Sequence, residues 1–169
     1  MTDHGISARA CRIVSARLHH VPVKTRTPYH FGTQTLDQVT CLRVALTVQR
    51  NDGRQFEGWG ETPLSVGWAW PGGDYHQRLE SMNRLTRAIG RALQAFGTQG
   101  HPLEISHAFQ ERELPRLRRT AGVPYLPALV CLSAFDLALY DAYGRAWDRP
   151  VFSTLGPAFL SRDLSAILE

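Results

Sequence analysis

Lysine is almost missing from this chain. One lysine, Lys24, stands beside 18 arginines, and the formal charge of +4 is spread without the long basic run that grips a phosphate backbone. No nucleic-acid partner is therefore expected. The Arg112 to Arg119 cluster is read as a solvated, partly salt-bridged surface, with partner or anion binding as the alternative, and nucleic-acid docking through it and Arg84, Arg87 and Arg91 is the weakest reading. Cysteine is also scarce: Cys11, Cys41 and Cys131 are odd in number and widely spaced, which excludes a zinc knuckle or redox pair and leaves buried free thiols. The longest apolar stretch, Pro127 to Tyr140, is broken by Ser133 and Asp136 and falls short of the roughly 20 residues a membrane span needs. No membrane is expected either. Met1 to Ala10 carries Asp3, His4 and Arg9 without the apolar centre of a secretory signal, so a cytoplasmic location is the expectation.

What is present is an ordinary globular balance. Hydrophobic residues make up 43% of the chain, and 169 residues are ample for one core but marginal for two, so one domain is expected. The first half has period 2. Leu42, Val44, Leu46 and Val48 alternate with Arg43, Thr47 and Gln49, which predicts a half-buried strand over Thr40 to Arg50. Asn51-Asp52-Gly53-Arg54 predicts a tight hairpin, and Gln55 to Glu61 the returning strand. An earlier strand over about Arg12 to His20 would place Val14, Ala16 and Leu18 together, opposite Arg17 and His19.

Two segments lack periodicity. Val21 to Val39 contains Pro22, Pro28 and Gly32 and is predicted as a long loop, of the kind that is often functional or mobile. Thr62 to Gly73 is a second irregular segment bearing Trp68 and Trp70, and these rings either fold back onto the core or form an apolar lid over a ligand.

From Asp74 the period becomes helical. Asp74 is a plausible N-cap with Gln77 three residues on, Leu79, Met82, Leu85, Ile89, Leu93 and Phe96 recur at helical spacing, and Gly97 is a natural stop. A second helix should start near Pro102 and bury Ile105, Phe109 and Leu114 until Pro115 ends or kinks it. The third, about Pro127 to Trp147, is apolar nearly all round and must be surrounded by protein. Asp136 and Asp141 lie within it, about 140° apart around the axis, too divergent for one dyad or one metal. They are expected to be structural, capping backbone groups or pairing with Arg145 or Arg149.

In order, then, the chain presents strand, long loop, strand, hairpin, Gly58-Trp59-Gly60-Glu61, an irregular loop, and helices carrying Ala134-Phe135-Asp136-Leu137-Ala138-Leu139-Tyr140-Asp141 and Gly144-Arg145. His101-Pro102 precedes the second helix, and Arg149-Pro150-Val151 leads to Leu155-Gly156. From about Arg12 to Gly156 this resembles the N-terminal capping domain of the mandelate racemase and muconate lactonizing enzyme branch of the enolase superfamily. The resemblance implies an α+β fold, a three-stranded antiparallel sheet followed by a bundle of about three helices, with the catalytic (β/α) barrel absent from this chain. Residues 1–156 would be the cap, and 157–169 a linker or the start of the barrel.

In such enzymes the cap supplies specificity through two loops, which here correspond to the two irregular segments. The implied substrate-facing residues are Arg26, Tyr29, His30 and Phe31 on the first and Val66, Trp68 and Trp70 on the second. The chemistry the resemblance implies is abstraction of a proton α to a carboxylate, with Mg²⁺ stabilising the enediolate, in a racemase, cycloisomerase or acid-sugar dehydratase. The barrel provides the base and the metal ligands, and it takes about 250 residues, whereas 13 follow Gly156. No catalytic or metal-binding residue is therefore assigned to this chain, and Mg²⁺ belongs to the complete enzyme. The expected partners are the barrel, in the same or a separate polypeptide, a carboxylate small molecule, and further copies in a homo-oligomer. Alone, the chain is expected to be inactive. The alternative is a standalone binding or interaction module that uses the Trp68 and Trp70 loop.

Overall fold

The computed structural model describes residues 8–31 and 34–168, with all side chains among them except those of Phe31, Gln34 and Leu168. Three long strands, β1 (Cys11–Phe31), β2 (Gln34–Arg50) and β3 (Gln55–Pro63), form an antiparallel sheet. A fourth, β4 (Gln99–Gly100), pairs with the start of β1, giving the order β3-β2-β1-β4. Six helices complete the α+β fold: α1 (Val66–Ala69), α2 (Tyr75–Ala95), α3 (Pro102–Arg112), α4 (Leu114–Ala121), α5 (Tyr125–Trp147) and α6 (Ser165–Leu168). The described residues form no barrel.

The period-2 pattern of β2 has the expected consequence: Leu42, Val44, Leu46 and Val48 are fully buried against the helices. The β2–β3 turn closes because Gly53 adopts φ 84° and Asp52 Oδ1 accepts from the Arg54 N–H at 3.1 Å. In β1 the pattern is broken by a bulge at Val14, where the register passes from Ile13 opposite Val48 to Ser15 opposite Thr47. One extra residue reverses side-chain parity. Cys11 and Ile13 therefore point inward before the bulge, with Ala16 and Leu18 packed inward after it, and Ile13 rather than Val14 joins the core.

The expected loop over Val21 to Val39 is instead a β-hairpin arm, because β1 and β2 continue their pairing to Phe31 opposite Gln34. The pairing is interrupted once: Lys24 faces Gln38 and Tyr29 faces Leu36, so the four residues from Thr25 to Pro28 bulge out opposite Asp37. Pro28 lacks the N–H that a continuous ladder needs. Thr25 closes the irregularity through its hydroxyl, which donates to the Asp37 carbonyl at 3.0 Å.

The helices begin where their caps are. Asp74 Oδ1 accepts from the Gln77 N–H at 2.7 Å, and Gly97 ends the segment at φ 66°. α3 opens with a capping box built on His101, whose Nδ1 accepts from the Leu103 N–H at 3.2 Å while Glu104 Oε2 accepts from the His101 N–H at 2.9 Å. Pro115 follows the break expected of it, since α3 ends at Arg112 and Glu113 caps both helices. It sits in the first turn of α4, which buries Leu114 and Leu117 and exposes Arg116 and Arg119.

α5 lies across β3 and β2. It is long and apolar enough by length and composition to cross a membrane, yet Ala134, Ala138, Ala142 and Tyr143 are fully buried within this fold. A methyl placed on Gly58 would stand 2.5 Å from the Ala138 carbonyl oxygen, and one on Gly60 would stand 2.5 Å from the Ala138 nitrogen. Both are below any real carbon contact, so the two glycines admit a ridge of three alanines directly onto the strand. Trp59, between them, points to the opposite face and stacks on His19 with ring centroids 6.3 Å apart. The free edge of β3 is covered by the same helix: the Trp59 N–H donates to Asp141 Oδ2 at 2.9 Å.

Candidate functional site

The hairpin arm and the segment after β3 converge on one open groove of about 580 Å³. The arm contributes Tyr29, Thr35, Leu36, Asp37 and Gln38, the segment after β3 contributes Ser65, Gly67 and Trp68, and the start of α2 contributes Tyr75.

The second wall follows from the spacing of α1. Leu64 is fully buried and its N–H donates to the Thr40 carbonyl at 2.8 Å, which ties the chain to β2. One helical turn follows, and Val66 and Ala69, three apart, turn inward together. Trp68 is thereby turned outward and remains 57% exposed at the groove. Trp70 begins the next turn and packs against the core. Arg78 reaches back from α2 to hold that turn, donating to the carbonyls of Trp70, Gly73 and Asp74. The two tryptophans thus divide the two roles considered for them: one lines the groove and one supports its wall.

The remaining candidates separate in the same way. Tyr29 lines the same groove as Trp68. Arg26 lies on the bulge and is exposed. His30 is paired across the arm, its Nδ1 3.0 Å from Thr35 Oγ1. Val66 is 1% exposed and belongs to the core. The side chain of Phe31 falls outside the described residues. Asp37, Gln38 and Tyr75 join the groove only through tertiary placement, Asp37 and Gln38 because β2 extends into the arm and Tyr75 because α2 starts beside it, and no local sequence pattern marks that.

Electrostatics of the groove centre on Asp37. The Tyr75 phenol is pushed above its ordinary pKa, first by burial and then by the negative charge of Asp37. Neither helical aspartate joins this site. Asp136 accepts from the Ser106 hydroxyl, and burial raises its pKa with that bond acting in the opposite direction. Asp141 holds both the Trp59 N–H and Arg145 Nε, the latter at 3.0 Å. Each therefore has a structural partner: the buried Asp136 is satisfied by Ser106 as a carboxylate out of water must be, and the half-exposed Asp141 ties α5 to β3. The three thiols are buried and free, with those of Cys11 and Cys131 pushed up to about 12 by burial. Among the described residues no three His, Cys, Asp or Glu side chains converge in a way that could hold a metal ion.

No protein-family profile matches the sequence, and no curated protein matches it. Solved structures do. A mandelate racemase/muconate lactonizing enzyme-like protein from Rubrobacter xylanophilus aligns over 85% of this chain at 23% identity and a TM-score of 0.53. An enolase from the alpha-proteobacterium bal199, solved with bound Mg, covers 86% at 16% identity and 0.52. A dipeptide epimerase from Enterococcus faecalis V583, complexed with Mg and the dipeptide L-Leu-L-Tyr, covers 86% at 16% identity and 0.50. The chain spans only about a third of each, namely 33%, 34% and 35% of their lengths. Its fold is therefore one shared with a part of these proteins.

Proposed function

We propose that this chain is the capping part of an enolase-superfamily enzyme of the mandelate racemase and muconate lactonizing branch, and that the groove between the hairpin arm and α1 is its contribution to substrate recognition. The observation that carries this is convergence. The two segments that the family resemblance assigns to specificity meet at one cavity, in a fold shared with about a third of each of several such enzymes.

On this assignment the complete enzyme abstracts the proton α to a substrate carboxylate, with Mg²⁺ supplying charge stabilisation. This chain's residues bind and orient. Trp68 and Tyr29 present ring faces to the part of the substrate remote from the reacting carbon, while Gln38 and Ser65 offer hydrogen bonds. Such remote contacts raise the rate by fixing geometry and by excluding water. Neither requires a titrating group on the cap.

The test uses the complete gene product with Mg²⁺ in D₂O and follows deuterium uptake at the α-carbon of a panel of carboxylic acids. Exchange is expected, and Trp68→Ala should raise KM by about tenfold, the loss of one aromatic contact, with thermal stability kept. The isolated 169-residue chain should give no exchange. Turnover by that chain alone, or a Trp68→Ala enzyme with unchanged kinetics, overturns the proposal.

A further inference from the structure

We infer that the groove selects a carboxylate substrate whose far end is an organic cation, a guanidinium or ammonium, received between the Asp37 carboxylate and the rings of Trp68, Tyr29 and Tyr75. This rests on the assignment of the groove to substrate recognition and adds the chemistry of what enters it.

Among the described residues lining the groove, Asp37 is the one ionisable carboxylate, and none is a lysine or arginine. Among the described residues none of the ion pairs involves Asp37. The position is built, because Asp37 stands by itself opposite the four-residue bulge and its carbonyl is held by the Thr25 hydroxyl at 3.0 Å. Its charge reaches the neighbouring Tyr75 ring, whose phenol it helps to raise.

A groove lined by three aromatic residues and one exposed carboxylate makes a poor seat for an anion. The ring faces are negative and the carboxylate repels a second one, whereas an organic cation gains from both. Guanidinium adds a planar fork that can stack on indole and donate two hydrogen bonds to one carboxylate. The substrate carboxylate that undergoes chemistry must then lie at the other end, away from Asp37. The cap would therefore read the length and charge of the substrate from its far terminus.

The isolated chain can be tested by ¹H–¹⁵N NMR titration with three probes: 4-guanidinobutyrate, its neutral analogue 4-ureidobutyrate, and glutarate. The guanidino compound is expected to shift the Trp68 indole and Asp37 amide signals and to bind roughly tenfold more tightly than the ureido compound, as befits one charge-assisted contact. Added salt should narrow that gap. Asp37→Asn should abolish the preference while the Trp68 signal still responds to both. Equal binding of the guanidino and ureido probes, or tighter binding of glutarate, overturns the cation selectivity and leaves the groove as a recognition site. If none of the three moves the groove signals in either protein, the assignment of the groove itself falls along with it.

Discussion

At Gly58 and Gly60 a side chain of one hydrogen decides how near a strand and a helix can come. A methyl at either position would have to displace the backbone of α5 itself, which cannot rotate aside as a flexible side chain can. Gly58→Ala should therefore cost about 3 kcal/mol or more, the upper range for overpacking, and lower the urea midpoint sharply. Gly156→Ala, where an added methyl meets nothing within 4 Å, should leave it unchanged. His101 governs a different variable. Its Nε2 is 2.8 Å from Thr154 Oγ1 and its Nδ1 accepts from the Leu103 N–H, so the network uses the neutral ring. Burial lowers its pKa from 6.5 to about 4, against the opposing pull of Glu104. The unfolded ring takes up a proton near 6.5 and the folded ring only near 4, so between these values acid favours unfolding. Stability should be constant above that window, fall through it, and level off below. In denaturation midpoints measured from pH 7 to pH 4, His101→Asn, which keeps a capping acceptor and removes the titration, should flatten the slope. The Gly-x-Gly and His-Pro pairs were visible in the sequence as motifs. Their physical meaning was not, because it lies in backbones 80 residues apart and in a ring nitrogen that caps a helix.

Among the elements, the strands show what alternation can and cannot specify. β2 was legible because its four inward residues are all aliphatic, whereas β1 carries a bulge that moves Val14 out of phase, and no local signal marks it. The arm was hidden for a related reason. Pro22, Pro28 and Gly32 read as loop residues, yet a proline is tolerated in an edge strand or at a bulge, and Pro28 occupies the latter. α1 divides its tryptophans by helical geometry, which gives a paired prediction. Trp70→Ala should lower stability by about 2–3 kcal/mol through lost packing and have little effect on ligand contacts, while Trp68→Ala should do the reverse. Chemical denaturation and the NMR titration of the two variants separate these effects. Asp141 joins elements in another way, since it pairs with Arg145 on its own helix and holds the β3 edge. Asp141→Ala should expose the Trp59 amide, read as faster hydrogen exchange at that position, with a loss of about 1–2 kcal/mol.

For the molecule as a whole, packing is uneven. The sheet beneath α5 is sealed by residues with no exposure, whereas most of the arm from Pro22 to His30 is exposed. Amide exchange should follow that division, slowest along β2, β3 and α5 and fastest in the outer half of the arm. Uniform protection along β1 would contradict it. Apolar surface is exposed near the groove at Tyr29 and Trp68, and again at Phe152, which is 83% exposed. The tail is partly folded in: Phe159 and Leu160 are buried, and Ser161 binds Glu104 Oε1 through both its N–H, at 2.7 Å, and its hydroxyl, at 2.6 Å. The α+β class and the order of elements were legible because hydrophobic periodicity changes once, from 2 to 3.6, near Asp74. Of the groove, Tyr29 and Trp68 were named through the family resemblance, whereas Asp37, Gln38 and Tyr75 were not, because the extension of the β1–β2 pairing into the arm leaves no mark in the local sequence.

The alanine ridge seated on Gly58 and Gly60 also acts at a distance. A helix seated so closely on its strand can neither slide by a residue nor roll without clashing, so its two ends are surveyed points. One end receives the chain from α4, and the other hands it on at Asp148, where the backbone turns left-handed at φ 50°. Whatever the polypeptide does after that corner, its starting position and heading relative to the groove are set by two absent methyl groups.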